Sequence, residues 1–145
     1  MARDADAGVL LSVLHARARS AAPEDVAIMR ALARDADAGV RRRALIDRRG
    51  SKAPEDVAII RTMAHDIDAS VRWHVVNARA DSDAPEDVAI IRALAHDTDA
   101  GVRLRVFEAR ARSEAPEDVA LIRAMARDAD VGVRQSVLNA RASST

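Results

Sequence analysis

The string Ala-Pro-Glu-Asp-Val-Ala stands at Ala22–Ala27 and returns at Ala53–Ala58, Ala84–Ala89 and Ala115–Ala120, each time 31 residues on. A second string, Asp-x-Asp-x-x-Val, follows at a constant offset: Asp35 to Val40, Asp66 to Val71, Asp97 to Val102 and Asp128 to Val133. A fifth copy, Asp4 to Val9, opens the chain without the first string. Self-similarity at this period marks a repeat architecture in which each unit buries its apolar face against its neighbours. The layout is a half repeat (2–21) and four full repeats (22–52, 53–83, 84–114, 115–145), read as a single repeat domain spanning 1–145.

Each repeat reads as two helices. Pro23 suits the first helical position, where its missing N–H has no intrahelical partner. Glu24 and Asp25 then set negative charge against the positive end of the helix dipole. Val26, Ile28, Met29 and Leu32 recur at helical spacing and predict a broad apolar face, with the helix ending near Arg34–Asp35. Asp37 is placed to cap a second helix from about Ala38 to about Arg49. Ser20, Ser51, Ser82, Ser113 and Ser144 mark the turns that follow. No strand pattern competes, so the predicted fold is all-α: a right-handed alpha-alpha solenoid of about nine helices.

Composition narrows the function. The chain has 145 residues, 23 basic and 23 acidic, with 49% apolar residues and no cysteine. Zero cysteines remove disulfides, thiol catalysis and cysteine metal sites. No apolar run nears the roughly 20 residues needed to span a bilayer, and no membrane partner is expected. The opening Met1-Ala2-Arg3-Asp4 lacks the regions of a signal peptide, which makes a cytoplasmic location the expectation. Balanced charge argues against a globally basic nucleic-acid binder.

Aligning the five second helices separates rows that stay constant from rows that change. The changing rows are Leu11/Arg42/Trp73/Leu104/Gln135, Ser12/Arg43/His74/Arg105/Ser136, His15/Ile46/Asn77/Glu108/Asn139 and Arg19/Gly50/Asp81/Arg112/Ser143. At about 100° per residue all four fall within one stripe of about 100°. The constant small apolar rows of Val40 and Ala44 lie opposite, where they face the first helix. Asp47 shares that side and is alanine in the other four copies. The row Leu14/Leu45/Val76/Phe107/Leu138 lies where it can pack on a neighbouring repeat. A solenoid varies freely only where neither core nor neighbour constrains it. The stripe is therefore read as a surface for a protein or peptide partner, with Trp73 as its anchor. Its partner-binding candidates are Leu11, His15, Arg42, Arg43, Ile46, Trp73, His74, Asn77, Leu104, Arg105, Glu108, Arg112, Gln135 and Asn139.

The 31-residue period, the paired helices and Asp-x-Asp-x-x-Val-Arg (Asp35–Arg41, Asp66–Arg72, Asp97–Arg103, Asp128–Arg134) resemble HEAT-like repeats of the phycobilisome-lyase type. They are also similar to the artificial HEAT-like scaffolds built from that family for protein binding. The resemblance covers the whole chain and implies that the second helices line the concave side, with the four variable rows facing a ligand. It also implies that the first arginine of each repeat bonds an aspartate of the Asp-x-Asp turn. The family's usual late leucine is arginine here (Arg17, Arg48, Arg79, Arg110, Arg141), and its Gly-x-x-Gly turn is absent.

Those arginines define the rival reading. Arg41 with Arg48, and its equivalents Arg72 with Arg79, Arg103 with Arg110 and Arg134 with Arg141, share one side of each second helix. They suit either a phosphate-binding ladder for nucleic acid or a set of internal ion pairs, each arginine bonding an aspartate of the Asp-x-Asp turn in its own or the next repeat. Matched charge favours the internal pairs. His65-Asp66 and His96-Asp97 resemble, loosely, the His-Glu pairs of di-iron HEAT-like hydroxylases. Only two copies carry the histidine, however, and adjacent repeats lie about 10 Å apart. No metal, no cofactor and no catalytic role are expected, and no phosphate-loop, dinucleotide or nucleophile-elbow motif is present. Neither end of the chain carries a polar cap, so end-to-end self-association is expected.

Overall fold

The computed structural model describes residues 2–143, with side chains described from Asp6 onward. Among these residues the chain is all-α, with nine α-helices. They are α1 (Ala2–Ala16), α2 (Pro23–Leu32), α3 (Ala38–Arg48), α4 (Pro54–Thr62), α5 (Ala69–Arg79), α6 (Pro85–Leu94), α7 (Ala100–Arg110), α8 (Pro116–Met125) and α9 (Val131–Ser143). A short 3-10 turn, Met63–His65, extends α4. The first helices stop two or three residues short of the predicted Arg34–Asp35, because their last turn tightens before the Asp-x-Asp segment. Two compact units result, 1–78 and 79–145.

Local chemistry explains why each hairpin starts and turns where it does. Every first helix opens on proline, and the preceding alanine has no capping side chain. The turn serine supplies the missing contact. Ser51 Oγ accepts the Ala53 N–H at 3.2 Å and donates to Asp56 Oδ2, and Ser82 and Ser113 repeat this with Asp87 and Asp118. The Asp-x-Asp segment is a pair of linked turns. Asp35 Oδ1 accepts the Asp37 N–H at 2.9 Å, and Asp37 Oδ1 in turn accepts the Gly39 N–H at 2.7 Å, capping α3. Asp99 and Asp130 cap α7 and α9 in the same way through Val102 and Val133.

In the first unit α1 packs on α2 and α3, α2 on α3, and α2 on α4. Like helix therefore lies beside like helix, as expected of stacked hairpins. The core is Leu14, Met29, Ala44, Leu45, Ile60, Val71, Val75 and Val76, all essentially inaccessible. In the second unit α7 packs on α6, α8 and α9, around Phe107, Met125, Val133 and Val137. The constant rows Ala44/Val75/Val106/Val137 and Leu45/Val76/Phe107 are buried as the alignment predicts. Val13 and Val40 are half-buried, and Val9 is 64% exposed, because the half repeat has no first helix for it to face. Leu138 is half-exposed on α9, the side that in α3 and α7 meets the following hairpin.

Candidate functional site

Most members of both arginine rows are engaged inside the fold; Arg141 is exposed. Arg41 grips Asp66 of the next repeat with two bonds, Nε to Oδ2 at 2.8 Å and Nη2 to Oδ1 at 2.9 Å. Its remaining Nη1 donates to the carbonyls of Asp35 and Ala36, so one guanidinium ties two successive turns. Arg103 does the same with Asp128 and the carbonyls of Asp97 and Thr98. The hydrogen bond from Arg103 holds the Asp128 carboxyl below the usual carboxylate range. At Asp66 burial pushes the other way, yet the Arg41 bond and the Asp68 N–H outweigh it and its pKa also falls.

The second row finds a different aspartate from the one expected. Arg48, Arg79 and Arg110 bond not the Asp-x-Asp turn but Asp56, Asp87 and Asp118, the acids just after each proline. That acid lies in the first turn of its helix, as the dipole reading has it, and also carries an ion pair that reading did not include. The carboxylate is fully buried, and a guanidinium from the preceding helix, eight residues back, neutralises it. Arg48 is itself fully buried: Nε lies 2.9 Å from Asp56 Oδ2, and Nη1 donates to Arg17 O at 2.8 Å. Asp118 has a second arginine, Arg92, at 2.8 Å on Oδ1. Hydrogen bonds from Arg92, Arg110 and Ser113 together pull its pKa far below the ordinary value.

The variable rows take the opposite place. None of their described residues is buried, from Leu11 to Ser143. In the first unit they adjoin across three helices. His15 Nδ1 on α1 lies 3.1 Å from Asp47 Oδ1 on α3, and Arg42 Nη1 on α3 donates to Ser70 Oγ on α5 at 3.1 Å. On α5 Trp73 and His74 meet edge-to-face, with ring centroids 4.8 Å apart and planes at 77°. Burial, then the charges of Arg42 and Arg49, lower the His74 pKa. Arg43 and His15 are exposed, whereas Leu11, Ile46 and Asn77 are half-buried.

In the second unit Glu108, Arg112, Gln135 and Asn139 are exposed, and Arg105 is half-buried. Gln135 Nε2 donates to Asn139 Oδ1 at 3.1 Å across one turn of α9. Leu104 leans inward and packs against the Phe107–Val137 cluster, so part of its side chain belongs to the core.

Two residues beside the stripe were not among its candidates, although the alignment had already set Asp47 apart. Asp47 stands in a row that is alanine in the other four copies, and it is buried with its Oδ2 unpartnered while Oδ1 meets His15. Arg49, exposed at the edge of the stripe, likewise replaces an alanine found in the other four copies. One departure from the repeat at each row was the available signal. The His15–Asp47 pair has no nucleophile poised on it, because the nearby Ser12 hydroxyl is turned onto the Gly8 carbonyl at 3.0 Å. Among the described residues no group of three or more potential ligands could hold a metal ion, and no helix is long and apolar enough to cross a membrane.

The chain matches no known protein family, no curated protein and no solved structure.

Proposed function

We propose that this chain is a non-enzymatic, HEAT-like binding module that recognises a protein or peptide through the variable rows of its second helices. One observation carries the reading: in the second helices most side chains of the constant rows are buried or ion-paired, and no described side chain of the variable rows is buried. Arg41, Arg48, Arg79, Arg103 and Arg110, which a phosphate-binding ladder would need, spend their guanidinium groups on Asp66, Asp56, Asp87, Asp128 and Asp118. Their engagement favours a protein ligand over nucleic acid, since contacts to phosphate would have to break these bonds first. Trp73 and its neighbours supply the aromatic and polar mixture typical of interface hot spots.

The test is a pull-down from lysate with and without nuclease, comparing the chain with a Trp73→Ala, Arg105→Ala, Glu108→Ala variant. A protein captured in both lysates and lost with the variant is the expected result. Material that disappears with nuclease but is still captured by the variant would transfer the function to the arginine rows.

A further inference from the structure

Within the first unit the accessible face has one sign of charge. Its variable rows present Arg19, Arg42 and Arg43, and Arg49 joins them at the edge; no carboxylate stands in those rows. The second unit's rows set Arg105 and Arg112 against Asp81 and Glu108. Three acids on the same helices and turns, Asp47, Asp66 and Asp68, are already committed. Asp66 is held by Arg41, and Asp47 is buried against His15. Asp68 caps α5 through the Ser70 and Val71 N–H groups, bonds the Ser70 hydroxyl and feels Arg42. Among the described residues no ion pair engages Arg19, Arg43 or Arg49. Arg42 has a neutral partner, Ser70.

We infer that the face formed by Arg42 and Arg43 on α3, Arg49 at its C-terminal cap, and Trp73 and His74 on α5 receives an acidic peptide segment. Its carboxylates pair with the guanidinium groups, and an apolar side chain between them packs on the aromatic pair. This rests on the proposed binding function and adds the chemistry of the partner. Complementary charge is the argument: Arg43 and Arg49, which no ion pair engages among the described residues, attract carboxylates, and a planar guanidinium fork binds them bidentately. The dimensions agree. Arg42 and Arg49 stand two helical turns apart, about 10 Å along α3, which about three extended residues span.

A nucleic acid fits less well. It presents a charge about every 1.7 Å along the duplex and needs a basic track continued on the neighbouring helix. In the half repeat the rows offer only Arg19, in the turn after α1, beside Leu11, Ser12 and His15 on α1.

The experiment pans a random dodecapeptide display library on the whole chain and on an Arg43→Glu, Arg49→Glu variant. Both arginines are exposed and outside the ion-paired core, so the variant is expected to keep its helical circular dichroism. A selected peptide is then titrated against Trp73 emission, which is the only tryptophan signal. The inference expects selected peptides at least about twofold enriched in Asp and Glu. Affinity should fall about tenfold with the variant, and also as salt rises from about 50 to 200 mM. Peptides that lose binding in Trp73→Ala but show no acidic bias would overturn the acidic partner and leave the binding function standing. No selected peptide, with a single-stranded oligonucleotide quenching Trp73 instead, would overturn both.

Discussion

Replacing Arg48 by alanine should be among the most damaging changes available to this chain, while the same change at Arg17, its counterpart one repeat earlier, should be mild. Arg48 and Asp56 are both fully buried, and Arg48 also bonds the carbonyls of Arg17 and Ser20. Truncation leaves Asp56 charged in the interior with only the Ser51 hydroxyl, since Oδ1 is already unpartnered. Removing one partner of such a pair costs about 3–5 kcal/mol. In a chain of this size that lowers Tm on the order of 10 °C. Arg17 is different: its side chain is 52% exposed and Nε lies 3.1 Å from Asp25 Oδ2, without the fork seen at Asp56. Its loss should cost less than that of Arg48, because Arg17 stands half in water and its contact does not form a hydrogen bond to the buried Asp25, whose oxygens are unpartnered already. Thermal and denaturant unfolding followed by circular dichroism measures both. A third variant, Arg48→Met with Asp56→Leu, separates lost attraction from stranded charge and should recover most of the loss. Equal costs for Arg17→Ala and Arg48→Ala would refute the claim that burial, not pairing alone, sets the energy.

Three further outcomes are expected. Asp118 and Asp128 have folded pKa values below the unfolded one, near 3.8, so their stabilisation is complete above that pH and is lost as pH falls below it. Acid titration of helicity should show this, and Asp118→Asn should be less stable at neutral pH with a flatter acid limb; an unchanged limb would contradict the assignment. Protonation of His74, read as quenching of Trp73, should have its midpoint below 6.5, and Arg42→Ala with Arg49→Ala should raise it. A midpoint that ignores both arginines would remove them as neighbours in charge. Finally, Asp99→Ala deletes the acceptor for the Val102 N–H and should cost about 1 kcal/mol, with Asp99→Asn nearly neutral; equal losses would show that charge rather than capping matters.

Much of the fold was legible because the period is exact. Proline at the first helical position, the Asp37 cap and the small apolar rows all act within one or two turns, so their meaning survives without knowledge of the neighbours. The first arginine row was legible by resemblance, and the structure supplies its partner in Asp66 and Asp128 of the following repeat. The second row was misassigned for a physical reason. The acid after each proline has two plausible uses, facing the helix dipole in water or meeting a buried cation, and local sequence is the same for both. Only the approach of the preceding helix, which carries Arg48 to within 2.9 Å of Asp56, chooses between them.

The variable stripe divides along the same line. Which rows vary, and that they share one side of a helix, follows from the sequence, because helical periodicity is a local property. What those rows touch does not. Leu104 packs partly into the core, Arg42 reaches across to Ser70, and Asp47 turns an alanine position into a buried partner for His15. Each of these depends on the spacing and rotation between packed helices, set by the fit of many side chains at once. The sequence by itself determined the repeat, the helices and the side left free to change; the tertiary structure decided which charges are spent on holding the hairpins together and which stay at the surface.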